Sequence, residues 1–363
     1  MGFYQWALKT CLKFKEDYNP LPLREFYPQN SSFFVISNTA LGDTLMSLPA
    51  LKSLKSSFPT SKIIALIHQN WVPLLKDCPY VDVLLPYKRG LIEIFKLIKK
   101  VKKLSPKVAI ILHGNYPEDI CLSVYSGAPW ILKSRCKPEY EKFLSFKNVP
   151  SNLHAIEKRV LLIKALGGKK IFKDMDLNYL RSKIETIKTF NLPTNKLLLG
   201  FQLGASNLSR AWPIKNFVKL ANILNETLDC FFILTGSLKE KKQGKMFEKL
   251  YGKKNYLNLV GKLSVLELAK VISDLDILVT PDTGPLHLAI ALKTPTVSLF
   301  ALSKPSDTGP IQDLHMHKVI YKPEGLKFLK PKRKKISNEA MDLITVEEVK
   351  TCVLDLLKSL KRL

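Results

Sequence analysis

Apolar and polar positions alternate along the chain in two long series. In the first, "SFFVISN" (Ser32–Asn38), "KIIALIH" (Lys62–His68), "VDVLLPY" (Val81–Tyr87) and "KVAIILHG" (Lys107–Gly114) are short apolar runs, separated by helical stretches such as Thr44–Phe58 and Leu91–Leu104. In the second, the runs are "KLLLGFQLG" (Lys196–Gly204), "CFFILTG" (Cys230–Gly236), "LNLVG" (Leu257–Gly261), "ILVTPD" (Ile277–Asp282) and "TPTVSLF" (Thr294–Phe300). Helical stretches separate these too: Ile214–Leu228, Lys239–Tyr251, Val265–Ser273 and Pro285–Leu292. Continuous apolar strands between amphipathic helices predict parallel sheets covered on both faces. The fold class is therefore α/β, with two doubly wound parallel-sheet domains. The polar stretch "RSKIETIKTFNLPTNK" (Arg181–Lys196) is the expected linker. A last helix follows the second series, and Thr345 and Glu348 have the spacing of its capping box.

The start, "MGFYQWALKTCLKFK", also has helical periodicity. Phe3, Tyr4, Ala7, Leu8, Cys11 and Leu12 share one face, and Gln5, Lys9 and Lys13 another. Such a helix can lie on an anionic membrane or pack onto the protein's own surface. Lys9 interrupts its apolar stretch and no charged segment precedes it, so it makes a poor signal peptide. Trp6 occupies the position where a myristoylation motif needs Ser or Thr. No apolar run approaches the ~18 residues of a membrane span.

A length of 363 residues agrees with two domains. The 46% hydrophobic and 24% charged content is that of a globular protein with sizeable cores. The balance of 57 Lys+Arg against 31 Asp+Glu changes the picture, because a net charge of +26 suggests an anionic partner. Nucleic acid, an anionic membrane surface and a phosphorylated substrate fit, as do simple solvated faces. The six cysteines are scattered with no C-x-x-C pair, which suits a reducing cytosol and indicates neither a zinc knuckle nor a disulfide framework.

Candidate chemistry gathers where strands end, because ligands of doubly wound sheets bind beyond the carboxyl ends of the strands. In "TPDTGPLHLAIAL" (Thr280–Leu292), Asp282 closes a strand and Pro285 suits a first helical position, making Gly284 the expected N-cap. The N–H groups around Thr283 and Gly284, with the helix dipole, suit a diphosphate. His287 falls four residues after Thr283 on the same side, where it can donate to a phosphate oxygen or be satisfied in the core. In "QLGASNLSRAWP" (Gln202–Pro213), Ser206 and Arg210 sit on the loop, and the arginine fork suits phosphate or plain solvation. In "LTGSLKEKK" (Leu234–Lys242), Glu240 falls in the first turn of a helix, placed to hold ribose hydroxyls or simply to complement the helix N-terminus. In "ISNTALGDTLMSLPALKSLKSSFP" (Ile36–Pro59), Asp43 precedes a helix expected from Thr44, where it is either a cap or a general base.

Other chemistries fail on spacing. The chain has no P-loop, G-x-G-x-x-G, G-x-S-x-G or H-E-x-x-H motif. The acid pairs "DMD" (Asp174–Asp176) and "DLD" (Asp274–Asp276) have structural positions, so no metal site is expected.

Taken in order, ALGD-x-L-x-x-x-PAL-x-x-LK-x-x-FP, G-A-S-x-x-x-R-x-WP, TG-x-x-x-E and DTGP-x-HLA-x-AL-x-TP resemble the ADP-heptose:lipopolysaccharide heptosyltransferases of glycosyltransferase family 9. "HAIEKRVLLIKALGG" (His154–Gly168), "VGKLSVLELAKVISDLDILV" (Val260–Val279) and "ITVEEV" (Ile344–Val349) are similar to the family too. Three features depart from it: residues 1–30 precede its usual start, Ala301 replaces a usual glycine, and "KPKRKK" (Lys330–Lys335) occupies a stretch that carries cysteines in many relatives.

The resemblance implies a GT-B fold of two Rossmann-like domains facing a cleft. A basic extension (1–30) would precede an acceptor-binding domain (31–185), a nucleotide-sugar domain (186–340) and a last helix (341–363) packing back on the first domain. It implies Asp43 as catalytic base, and Ser206, Arg210, Glu240, Leu263, Asp282, Thr283, Gly284 and His287 as the donor site, with Leu263 beneath the adenine. Lys88, Arg89, His113 and Asn115 are the expected acceptor contacts. The implied reaction is an inverting, metal-independent transfer from ADP-heptose, with no cofactor, to an anionic acceptor of the lipid A–Kdo type. The place would be the cytoplasmic face of the inner membrane, with peripheral attachment and no nucleic-acid partner. A GT-B transferase for another nucleotide sugar or acceptor is the alternative within enzymes. Outside enzymes, the alternatives are a silent sugar-nucleotide binder and a nucleic-acid-binding protein, the latter lacking any basic-aromatic stacking motif.

Overall fold

The computed structural model describes residues 2–28, 31–147, 149–187, 190–205, 207–329 and 338–362. The chain forms two compact units, Met1–Met175 and Asp176–Leu363.

In the first unit five parallel strands, β1 (Ser32–Ser37), β2 (Lys62–His68), β3 (Val83–Tyr87), β4 (Val108–His113) and β5 (Trp130–Lys133), take the order β3-β2-β1-β4-β5. Phe34, Ile64 and Ala109 stand in register, and with Ile36, Leu66 and Ile111 they form one apolar face. The helices Leu91–Lys103 and Glu118–Tyr125 cover it through Ile94, Leu97, Val101, Ile120 and Val124. Leu91–Lys103 buries a stripe at helical spacing, while β1 and Glu118–Tyr125 are buried almost throughout.

The N-terminal helix, Phe3–Lys13, joins that layer. Leu8 and Leu12 are buried in the same core, and the helix packs on Glu118–Tyr125. The Tyr4 hydroxyl donates to Glu118 Oε2 at 2.7 Å, and the Tyr125 hydroxyl donates to the Cys11 carbonyl at 2.8 Å. Tyr87 also donates to Glu118, and burial pushes that carboxyl up to about 7. The helix thus packs on the protein itself, and its expected face is corrected at one position: Phe3 lies outside the buried stripe and is exposed.

In the second unit six parallel strands, β6 (Leu197–Gln202), β7 (Cys230–Thr235), β8 (Tyr256–Asn258), β9 (Ile277–Pro281), β10 (Thr296–Phe300) and β11 (His317–Tyr321), take the order β11-β10-β9-β6-β7-β8. Phe201, Phe217, Phe232, Phe247 and Trp212 pack together in the core beside β6 and β7.

Two boundaries differ from expectation. The unit boundary falls at Met175–Asp176, because Ile184 of the helix Arg181–Glu185 is buried and that helix packs on Val265–Ser273; the supposed linker belongs to the second unit. The last helix, Val346–Ser359, carries the Thr345/Glu348 capping box. Its stripe Val349, Val353, Leu356 and Leu357 enters the second unit's core against Ile214–Thr227, β10 and β11. Trp212 Nε1 donates to the Ile344 carbonyl at 3.0 Å and fixes the entry to this helix. The stretch Thr44–Phe58, read as one helix, is two: Leu41–Leu45 and Leu48–Ser57, the second having Pro49 in its first turn, where its missing N–H costs nothing.

Candidate functional site

Each sheet has one point where the strand order reverses, between β6 and β9 in the second unit and between β1 and β4 in the first. Loops diverge there and leave a crevice at the strands' carboxyl ends.

In the second unit Arg210 follows β6 and Asp282 follows β9, so they meet across the reversal, with Arg210 Nη1 3.7 Å from Asp282 Oδ2. His287 Nε2 lies 3.8 Å from Asp282 Oδ1, and the ring is buried within the first turns of the helix Gly284–Ala291. Ser303, from the loop after β10, and Thr308, at the end of the short helix Pro305–Thr308, donate to Asp282 at 2.6 and 3.3 Å. Sequence reasoning missed both hydroxyls. The N-cap is Thr283, one position earlier than expected, with Pro285 second in the helix. The Thr283 hydroxyl donates back to the Pro281 carbonyl at 3.2 Å, and no side chain caps the helix, whose dipole points its positive end at this edge.

Glu240 is buried and complements a helix start. Its Oε2 accepts from the Ser237 N–H at 2.6 Å, completing a capping box. Gly204 makes room for it, since a Cβ there would fall 2.0 Å from Glu240 Cγ. Gly236 and Gly261 are joined by a backbone hydrogen bond of 2.8 Å, bringing the loop of Leu263 beside the Glu240 turn. Leu263 is partly exposed just before the capped helix Val265–Ser273. Ser206 lies outside the described residues, as does Lys330–Lys335.

In the first unit Asp43 is the third residue of the helix Leu41–Leu45 and caps nothing. Its Oδ1 accepts from Arg159 Nη2 at 2.9 Å, and His113 Nε2 stands 3.4 Å from the same oxygen. The Thr39 hydroxyl is 3.2 Å from Asp43 Oδ2 and 2.7 Å from His113 Nδ1. A hydroxyl has one proton to give; given to Nδ1 across the shorter gap, it leaves a neutral His113 with its own proton on Nε2, facing Asp43. Burial pushes the His113 pKa down, with Asp43 opposing and Arg159 and Lys133 adding to the shift.

Arg159 is 3% exposed, and its Nε and Nη1 have no hydrogen-bond partner among the described residues. With His113, Arg135, Lys137 and Lys158 it lines a cavity of about 450 Å³. Lys133, on the same wall, pairs with the buried Asp119. Arg159 and Thr39 were also missed: Arg159 sits inside "HAIEKRVLL", 116 positions from its partner, and only the fold brings the two together. Arg89 and Asn115 share a second, smaller cavity with Tyr4 and Lys137, while Lys88 is exposed. The acid pairs are structural, as read: Asp174 pairs with Lys52 at 2.9 Å, and Asp276 accepts from the Leu198 N–H at 2.7 Å.

Two doubly wound sheets, each with charged residues collected at its reversal, define the GT-B class of glycosyltransferase fold. The model of "Glycosyltransferase family 9 (heptosyltransferase)" matches residues 135–336, more than half of the chain, and the protein belongs to that family. It is 25% identical over 288 residues to lipooligosaccharide heptosyltransferase 2 of Campylobacter jejuni, covering 77% of this chain and 84% of that protein. A family 9 glycosyltransferase structure from Veillonella parvula superposes with a TM-score of 0.75 at 20% identity, covering 93% of this chain and 99% of the other. The structure of ADP-heptose lipopolysaccharide heptosyltransferase II from Escherichia coli gives 0.73 at 20% identity, with 91% and 99% covered. The protein is a glycosyltransferase, and among its described residues no helix is long and apolar enough to cross a membrane.

Proposed function

We propose that the protein transfers heptose from ADP-heptose, with inversion, to the inner core of lipopolysaccharide at the cytoplasmic face of the inner membrane. Asp43 takes the proton of an acceptor hydroxyl as that oxygen forms a bond to the anomeric carbon. The bond from that carbon to the diphosphate breaks, and its electron pair leaves with ADP. Asp43 Oδ2 is the proton-accepting oxygen, because Oδ1 is already held by Arg159. Arg159 and His113 are positioning residues that hold the carboxylate at Oδ1, and Thr39 sets the tautomer of His113. Arg210, His287 and the Gly284 helix start meet the charge gathering on the diphosphate, with Glu240 toward the ribose and Leu263 beneath the base. Protein cations and the helix dipole carry that charge in this reading without a divalent ion.

One observation carries the acceptor assignment. A buried arginine whose Nε and Nη1 donors have no partner among the described residues lines a cationic cavity beside the candidate base. Such donors suit carboxylate or phosphate groups of the kind borne by a lipid A–Kdo acceptor. Lys88, Arg89 and Asn115 extend the same edge. The purified protein, given ADP-heptose and a lipid A–Kdo acceptor, is expected to raise the acceptor's mass by one heptose. Transfer from another nucleotide sugar, with none from ADP-heptose, would replace the donor assignment.

A further inference from the structure

The exposed large aromatics among the described residues, Phe3, Trp6, Phe14, Tyr27 and Phe95, all lie in the first unit, and four of the five belong to two helices or their ends. On Phe3–Lys13, Phe3 (73% exposed) and Trp6 (56%) point away from the buried Leu8/Leu12 stripe, their rings stacked 5.8 Å apart. On Leu91–Lys103, Ile92 (70%) and Phe95 (55%) face outward. Both helices pack on Glu118–Tyr125 over the same face of the sheet, so both outer stripes lie on one side of the unit. Their N-terminal ends meet where the Arg89 guanidinium lies over the Tyr4 ring at 5.0 Å.

The charge around these aromatics has one sign. Residues 3–15 hold three lysines and no acid, and Leu91–Lys103 holds five lysines and one acid. That acid, Glu93, is tied to Lys96 at 3.0 Å. The lysines at 96, 99, 100, 102 and 103 are all exposed and continue the helix surface that Ile92 and Phe95 begin. Aromatic residues in front of a field of lysines suit the boundary between lipid headgroups and acyl chains, where rings enter and ammonium groups stay with anionic phosphates. A protein partner's groove would be expected to lower the charge at its apolar centre, and here lysines run through the patch.

We infer that the outer faces of Phe3–Lys13 and Leu91–Lys103 form a docking surface for an anionic lipid bilayer. The inference rests on the proposed reading of a lipid-anchored acceptor only for its purpose, and the binding itself needs neither donor nor acceptor. The helix Phe3–Lys13, which lies ahead of the usual family start, then has a defined role: it supplies one of the two faces.

Full-length protein is mixed with vesicles of phosphatidylethanolamine and phosphatidylglycerol, or of phosphatidylcholine alone, and the bound fraction is measured by sedimentation. Binding to the anionic vesicles is expected, with release at ~1 M salt, where screening leaves a Debye length of about 3 Å. Phe3→Ser/Trp6→Ser/Phe95→Ser should lower partitioning by about tenfold or more. Lys96→Ser/Lys99→Ser/Lys103→Ser should lower it by about fivefold per lysine at low salt and flatten the salt dependence. Both variants replace exposed side chains, so an unchanged thermal melt is the control. Wild-type protein that ignores anionic vesicles, or variants that bind like wild type, would overturn the inference. So would loss of binding accompanied by a dimer falling to monomer in light scattering, which would assign the patch to a second copy of the chain. Turnover of a soluble, deacylated acceptor separates the two ideas. Variants that lose vesicles but keep that turnover support the surface; wild type that binds vesicles yet transfers no heptose leaves the surface standing and removes the donor assignment.

Discussion

Replacing Arg159 by methionine removes the guanidinium that holds the candidate base while keeping most of its volume. The lost contact is a charge-assisted hydrogen bond at 2.9 Å, a class worth about 1.5–3 kcal/mol. The other two guanidinium nitrogens, Nε and Nη1, have no hydrogen-bond partner among the described residues and line the cavity. Asp43 is itself partly exposed, so water takes up the oxygen that the guanidinium leaves. Folding stability should therefore fall by about 1.5–3 kcal/mol, a loss of several degrees in melting temperature. Catalysis should lose more. A base displaced by about 1 Å loses ~10²-fold in rate, so single-turnover transfer should fall by roughly 10- to 100-fold while donor affinity stays near wild type. Arg159→Lys, with the charge but not the fork, should fall between. Rapid-quench turnover and calorimetric melting of the same preparations check this. Unchanged turnover in Arg159→Met would refute the positioning role, and a collapse of the melting temperature would refute the stability argument.

The other predictions concern the second unit. Arg210→Ala should weaken ADP binding by about tenfold or more, as loss of a charge-assisted phosphate contact requires; titration calorimetry giving wild-type affinity would exclude it. Gly204→Ala drives a Cβ into Glu240 and should cost about 1–3 kcal/mol of stability together with donor affinity; a neutral melt would mean the capping box moves freely. His317 is buried and its pKa is lowered from 6.5 to about 4, chiefly by desolvation. The unfolded chain therefore binds the extra proton first, and as pH falls from 6.5 toward 4 stability should drop by up to about 3 kcal/mol, a slope that His317→Leu should flatten. Transfer should persist in EDTA; loss restored by Mg²⁺ would show that a divalent ion shares the diphosphate's charge.

The alternation of runs made nine of the eleven strands among the described residues legible in the sequence. The two that escaped, β5 and β11, are short edge strands, "WILK" and "HKVIY", whose lysine and histidine break the apolar run that marked the others. The parallel α/β class followed from that alternation, because a strand buried on both faces cannot carry the polar alternation of a half-exposed one. Arg210, Asp282 and His287 were legible because each lies in a loop or first helical turn beyond a strand's carboxyl end. Arg159 was not, because its role depends on a pairing that chain order does not display. Asp43 shows the same limit: a carboxylate in the first turn of a helix looks like a cap until the arginine that claims it is seen. The N-terminal helix was legible as amphipathic, but which residues fell outside the buried stripe depended on the phase at which Leu8 and Leu12 dock.

The central claim, that Asp43 serves the chemistry and not the binding of donor, is tested most directly by Asp43→Asn. Asparagine keeps the shape of the side chain and removes its capacity as a base. Transfer from ADP-heptose, followed by mass spectrometry, should fall by about 10²–10⁴-fold, while ADP-heptose affinity measured on the same protein stays within about twofold. Turnover near the wild-type rate, or a parallel loss of donor binding, would contradict the account.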